Sequence, residues 1–204
     1  MNVLAIGAHP DDIEYGCGGT LIKYIQQKHS VYLLILTHGR FGGDPEIRKA
    51  EQLASAKLMG VEDVFWGGYA DTRIPIDKGL IDKIEEILKR ITPSFIFVPY
   101  FDDTHQDHRA TANASITATR YIKNVLFYEC PTTQNFNPNV YVDISSVLDK
   151  KLEVLKAHKS QVIKTKIADL TIIESSVSWA NFRGIQGRVK YAEAFVPLRL
   201  FINV

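Results

Sequence analysis

The sequence predicts an α/β fold in which a mostly parallel sheet carries helices on both faces. Two observations predict it. Short apolar runs rich in β-branched residues alternate with helical patterns through the first two thirds of the chain. The helical series Leu80, Ile84, Ile87, Leu88, Ile91 then leads through Pro93 into Phe95-Ile96-Phe97-Val98, the helix-to-strand step of a βαβ unit.

In chain order, strands are expected near 2–7, 31–37, 62–67, 94–98 and 124–128, each a short apolar run. Helices are expected to start near Gly18, near Pro45 and near Thr104. The last of these carries Ala110, Ala112 and Ala114, small side chains that let a helix sit close on a sheet. Beyond residue 130 the alternation loosens. Pro131, the Asn-rich stretch 135–139 and Asn137-Pro138 read as a long loop, followed by a strand at 140–143 and a helix over 145–158 with Leu148, Leu152 and Leu155 on one face. A further helix is expected between Ile167 and Phe182, after which Gly184 and Gly187 introduce a terminal apolar strand region from Tyr191 to Val204. With no internal repeat and no low-complexity linker, residues 1–204 read as one domain.

With 204 residues, 46% hydrophobic and 23% charged, the chain can bury one core, which excludes a disordered tail or a fibrous repeat. Lys and Arg number 24 against 23 Asp and Glu, and the net charge of +1 gives no basic surplus for a nucleic-acid partner. The longest apolar runs, such as 31–36, fall far short of the roughly 20 residues of a membrane helix, so no membrane span is expected. No basic segment precedes the first apolar run, unlike a secretory signal. Cys17 and Cys130 are too few for a disulfide framework, and a cytoplasmic location is the expectation.

Two loops hold nearly all the unusual side chains. Ala8-His9-Pro10-Asp11-Asp12-Ile13-Glu14 follows the first strand, and Asp102-Asp103-Thr104-His105-Gln106-Asp107-His108 follows the fourth. In the common strand order 3-2-1-4-5 these strands are adjacent and the order reverses between them, so both loops flank the crevice where open α/β sheets bind ligands. A catalytic divalent ion needs a few N or O donors and an open position. His9, Asp12 and His108 supply such a set; it suits Zn²⁺, and Fe²⁺ takes the same donors. Asp11 is free to act as a base toward water. His105 would face the reacting centre from the other side, with Asp107 placed to fix its tautomer or keep it protonated. Asp102, Asp103 and Asp107 also suit a helix N-terminus on dipole grounds alone.

Other candidates are less specific. Arg48 would clamp a substrate carboxylate, phosphate or hydroxyl, or else form an exposed ion pair with Glu51. Asp71 and Arg73 follow the third strand at the same sheet edge and suit sugar-hydroxyl contacts or a turn. Gly16, Gly18 and Gly19 fit neither a P-loop nor a dinucleotide fingerprint, and close helix packing is their expected use. Tyr191 and Glu193 read as core-edge or interface residues, and Cys17 as a small buried one.

These residues also carry a resemblance. The opening VLAIGAHPDDIEYGCGGTL and the HQDH at 105–108 resemble the AHPDD and HxDH signatures of the PIG-L/LmbE-like zinc-dependent N-deacetylases. Arg48-x-x-Glu51, the Asp71 loop, FNPNVYVDIS at 136–145, HKSQ at 158–161 and YAEAF at 191–195 are similar to the branch that includes the bacillithiol-pathway deacetylases. The resemblance implies a Rossmann-like α/β fold and an activity on N-acetylglucosaminyl groups. It implies His9, Asp12 and His108 as metal ligands, Asp11 as base, His105 as electrophilic or acid partner, and Asp107 paired to His105. It also implies a homo-oligomer, a trimer or hexamer. The loops at 43–45 and 70–73 depart from the commoner versions, which leaves the identity of the sugar open.

The expected function is therefore metal-assisted hydrolysis of an acetamide on an N-acetylated amino sugar. Alternatives are an amidase acting on a larger sugar-amide or thiol conjugate, and a non-catalytic sugar-binding protein on the same fold. A response-regulator receiver also places acidic residues after its first strand, yet it leaves HQDH without a role.

Overall fold

The computed structural model describes residues 1–202. The elements are β1 (Asn2–Gly7), α1 (Asp12–Gln26), β2 (Ser30–Thr37), α2 (Pro45–Met59), β3 (Asp63–Tyr69), α3 (Lys78–Ile91), β4 (Phe95–Pro99), α4 (Gln106–Ala118), β5 (Val125–Tyr128), β6 (Val140–Asp143), α5 (Leu148–Lys156), α6 (Ile172–Gly187) and β7 (Ala192–Arg199). They build a seven-stranded sheet in the order β3-β2-β1-β4-β5-β7-β6. The first five strands pair in parallel, and β7 runs antiparallel to both β5 and β6. This is the mostly parallel α/β sheet the sequence predicts.

Strand β1 is buried on both faces, as a central parallel strand must be. Val3 and Ala5 join the core layer that also takes Ile13, Cys17 and Leu21 of α1 and Val154 of α5. Leu4 and Ile6 point the other way, into a layer with Leu80, Ile84, Ile87 and Ile91 of α3 and the alanines of α4. Helices thus cover both faces. The helix starts are capped from the sequence: Asp44 accepts from the N–H groups of Glu46 and Ile47, Asp77 from that of Leu80, and Thr171 with Glu174 forms a capping box.

Three expectations are corrected. The first helix starts at Asp12 rather than near Gly18, so Gly16, Gly18 and Gly19 lie inside it and offer no phosphate-binding helix start. A Cβ on Gly16 would sit 2.1 Å from Cδ2 of Tyr128, so the glycine lets α1 press onto β5. Helix α6 spans Ile172–Gly187 rather than 167–182; Gly184 is interior, brought so close to Lys190 that a Cβ would meet its carbonyl oxygen at 2.5 Å. The last strand ends at Arg199, Leu200–Ile202 are not strand, and residues 203–204 of the expected strand region lie outside the described residues. Glu193 proves to be a core residue: its carboxylate accepts from the N–H groups of Gly19 and Thr20 and pairs with buried Lys151 at 2.7 Å, tying β7 to α1 and α5.

Candidate active site

Parallel pairing of β1 with β4, from Val3 opposite Phe95 to Ala5 opposite Phe97, brings the two motif loops side by side at the carboxyl edge of the sheet. The order reverses between these strands, as the sequence predicts. His9, Asp12 and His108 are all buried there. Asp12 Oδ1 lies 3.3 Å from Nε2 of His108, and Asp12 Oδ2 lies 3.5 Å from Nδ1 of His9 while also accepting the His9 backbone N–H at 2.8 Å.

Each imidazole has its other nitrogen on a buried carboxylate. His108 Nδ1 is 3.0 Å from Asp103 Oδ2, and His9 Nε2 is 3.2 Å from Asp71 Oδ1 and 3.1 Å from Asp107 Oδ2. Burial alone would lower both histidine pKa values. The surrounding carboxylates outweigh it, raising His108 to about 9 and His9 well above its usual value. For Asp12, burial works upward, and the two histidines hold the carboxyl well below its usual range. The field at this point therefore favours positive charge.

Those features fit a divalent ion. His9, His105 and His108 bring ligand atoms within 4.8 Å of one another, as do Asp12, His108 and Cys130. The two groups share His108, and a third, His9 with Asp71 and Asp107, shares His9 with the first. Carboxylates behind metal-binding imidazoles fix the ring orientation and tautomer and make the ligand more basic. Nitrogen and carboxylate donors, backed in this way, suit zinc or iron(II).

Asp11 is the helix N-cap of α1, yet its side chain caps nothing. Its backbone is left-handed, with φ 90°, a conformation that strains a non-glycine residue by about 1–3 kcal/mol. The peptide is held from both sides: the Asp11 N–H donates to Gln52 Oε1 at 3.3 Å, and the Pro10 carbonyl accepts from Arg48 at 2.7 Å. The carboxyl is left at the cleft, 3.5 Å from the Arg48 guanidinium. Burial pushes its pKa up to about 6, against the opposing pull of Arg48 and His158.

His105 and Asp107 differ from expectation. The Asp107 carboxylate turns away from His105, to His9 and to the backbone N–H groups of Thr72 and Ile74. Only the Asp107 backbone N–H meets His105, donating to Nδ1 at 3.2 Å as the helix cap of α4. Among the described residues no carboxylate pairs with His105; burial and the neighbouring His9 and His108 lower its pKa, outweighing the upward pull of Asp12 and Asp107. In the neutral ring an accepting Nδ1 leaves the hydrogen on Nε2.

The cleft above these groups measures about 780 Å³ and is lined by Phe41, Arg48, Asp71, Thr132, Gln161 and Lys164 among others. Arg48 is at its wall but buried, donating to the carbonyls of Gly39 and Pro10. Its expected partner Glu51 binds Ser160 instead, through the Ser160 N–H and hydroxyl. Asp71 also reaches the cleft, but both its oxygens are engaged, by His9 and by the Phe41 N–H at 2.7 Å, and its pKa falls to about 2 because these bonds outweigh burial. Arg73 is exposed and does not line the cleft.

Several site residues escaped sequence reasoning. Asp103 reads as a helix-cap acid, yet it orients His108. Buried Glu14 accepts from Gln52 at 2.5 Å and Ser55 at 2.7 Å, with His158 3.4 Å away, forming a polar network under Asp11. The signal for Glu14 was present: a carboxylate on α1 among apolar residues needs buried partners.

Residues 4–119 match the family described as PIG-L: GlcNAc-PI de-N-acetylase. The chain is 36% identical over 167 residues to the uncharacterized deacetylase YaiS of Escherichia coli, covering 78% of this chain and 90% of the relative. It is 30% identical to the probable N-acetyl-alpha-D-glucosaminyl L-malate deacetylase 2 of Bacillus anthracis, covering 83% and 84%. Among solved structures, the N,N'-diacetylchitobiose deacetylase from Pyrococcus horikoshii superposes with a TM-score of 0.85 at 27% identity, covering 97% of this chain and 83% of that one. Among the described residues, no helix is long and apolar enough to cross a membrane.

Proposed function

The chain belongs to the PIG-L family, and on that premise we propose that it is a zinc-dependent hydrolase that removes the acetyl group from an N-acetylated amino sugar of the N-acetylglucosaminyl type. The observation that carries the reading is the Asp11 carboxyl, held at the cleft with its pKa raised to about 6, beside the His9, Asp12 and His108 cluster. His9, Asp12 and His108 would hold the ion, which supplies Lewis acidity and makes nearby water more acidic.

At neutral pH the Asp11 carboxylate is mostly ionised and able to take a proton from water as the water oxygen adds to the acetamide carbonyl carbon. The His105 Nε2–H donates to the carbonyl oxygen as it gains negative charge. When the C–N bond breaks, protonated Asp11 returns the proton to the nitrogen, giving free amine and acetate. Arg48 fixes the Pro10–Asp11 peptide and limits how far the base can move. Asp71 and Asp107 hold His9, and Asp103 holds His108.

Acetate release from N-acetylglucosaminides by zinc-loaded protein tests the reading, with Asp11→Asn alongside. The variant is expected to keep its metal and lose roughly 10²- to 10⁴-fold in turnover. Near-normal turnover in Asp11→Asn would remove Asp11 as the base, and no acetate from any N-acetylated sugar would end the deacetylase reading.

A further inference from the structure

Strand β5 pairs in parallel with β4, so its carboxyl end opens onto the same sheet edge as the two motif loops. Two residues past that end, Cys130 is only 2% exposed and lines the cleft. Its sulfur, one ring nitrogen of His108 and one carboxylate oxygen of Asp12 all lie within 4.8 Å of one another. Zinc bonds of about 2.3 Å to sulfur and about 2.0–2.2 Å to nitrogen and oxygen set tetrahedral donors roughly 3.5 Å apart, so these three need close by little more than roughly 1 Å.

Two further observations separate this sulfur from an ordinary buried cysteine. The turn that carries it is tied to the support of His108. The Cys130 N–H donates to Thr133 Oγ1 at 2.9 Å, and the Thr133 hydroxyl donates at 2.9 Å to Asp103 Oδ2, the oxygen that stands 3.0 Å from His108 Nδ1. One run of hydrogen bonds therefore holds the backbone of Cys130 and the imidazole of His108 together. The thiol itself makes no hydrogen bond among the described residues, although it borders the buried polar groups of the site. Cys17 supplies the contrast: it packs in the same apolar layer, yet among the described residues it neither lines the cleft nor joins a metal-binding group.

We propose that Cys130 supplies a sulfur ligand to the ion held by His9, Asp12 and His108. The inference rests on the metal site of the proposed function and adds a fourth protein donor to it. On ligation the S–H bond gives way to a sulfur–ion bond, and the proton passes to solvent. Imidazole and carboxylate serve zinc and iron(II) alike, whereas a thiolate is a soft donor that favours zinc, so Cys130 selects between the two. Catalytic zinc also accepts five donors, which leaves a position for substrate beside the sulfur.

X-ray absorption at the zinc edge of the full chain, loaded with one equivalent of zinc, reads the ligands without turnover. Wild-type protein is expected to show one sulfur scatterer at about 2.3 Å beside nitrogen and oxygen at about 2.0–2.2 Å. Cys130→Ala should lose the sulfur shell, and Cys17→Ala should keep it. Cys130→Ala should also weaken zinc binding by at least the roughly tenfold that loss of an outer-shell partner costs. In anaerobic competition its preference for zinc over iron(II) should narrow. Urea unfolding of the metal-free variant checks that the fold survives, and the wild-type spectrum decides the matter should that variant prove unstable. Zinc bound through nitrogen and oxygen alone, or a sulfur shell that survives Cys130→Ala, overturns the role of Cys130 and leaves the metal site standing. No zinc bound by folded wild-type protein overturns both. Acetate release is scored separately: a sulfur-ligated ion without it ends the deacetylase reading and leaves Cys130 as a ligand.

Discussion

Asp103 Oδ2 lies 3.0 Å from Nδ1 of His108, and the same carboxylate accepts the His105 backbone N–H at 2.7 Å and the Thr133 hydroxyl at 2.9 Å. One buried side chain thus fixes the start of α4 and the ring of a proposed metal ligand. Replacing Asp103 with Asn is expected to weaken zinc binding roughly 10- to 100-fold. Titration of zinc into stripped protein measures it, with His108→Ala as the reference for complete loss of the site. Unchanged zinc affinity in Asp103→Asn would reduce Asp103 to a helix cap.

Asp71 invites a similar test, because sequence reasoning gave it to the sugar and the structure gives its oxygens to His9 and Phe41. Asp71→Asn is expected to lower zinc affinity by about tenfold or more, with KM little changed once metal is saturating. The opposite pattern, full metal affinity with KM raised tenfold, would restore a direct sugar contact.

The two motif loops were legible because each is short, dense in donors and placed at a strand end whose neighbour the alternation pattern identifies. Their supporting residues were not. His9 meets Asp71 and Asp107 across 62 and 98 positions of sequence, and nothing local says which histidine a carboxylate will face. Asp107 shows the cost of local reasoning: two residues from His105, it offers that ring only its N–H because its side chain enters the other side of the site. The glycines of α1 misled only about where the helix begins, because glycine weakens an isolated helix; their expected use in close packing holds at Gly16, which sits against Tyr128.

Gly16→Ala makes that last point measurable. Helix propensity alone favours alanine by about 1 kcal/mol. Contact at 2.1 Å with the ring of fully buried Tyr128 opposes it, since overpacking of this kind costs about 1–3 kcal/mol or more. Gly16→Ala is expected to be destabilising in urea unfolding, whereas a stabilised variant would mean that α1 can lift off β5 without penalty.

Beneath Asp11, Glu14 Oε1 and His158 Nε2 stand 3.4 Å apart, both buried. Burial opposes either charge, yet each holds the other: Glu14 is lowered from 4.5 with help from Ser55, and His158 is raised from 6.5 by Glu14, Asp11 and Glu51. The stability contributed by Glu14 is complete above 4.5 and is lost as pH falls through its depressed folded value. That contributed by His158 is complete below 6.5 and is lost as pH rises through its raised folded value. The pair therefore stabilises most between 4.5 and 6.5. Removing one partner of a buried pair costs about 3–5 kcal/mol. Gln52 and Ser55 still hold Glu14 after His158→Gln, which places this change at the lower end, about 3 kcal/mol near pH 6. Melting temperatures of the wild type and His158→Gln should differ most near that pH and draw together as pH rises through the raised folded value at which the wild-type imidazole loses its proton. A gap of constant size across this range would mean that His158 acts there by packing rather than by charge.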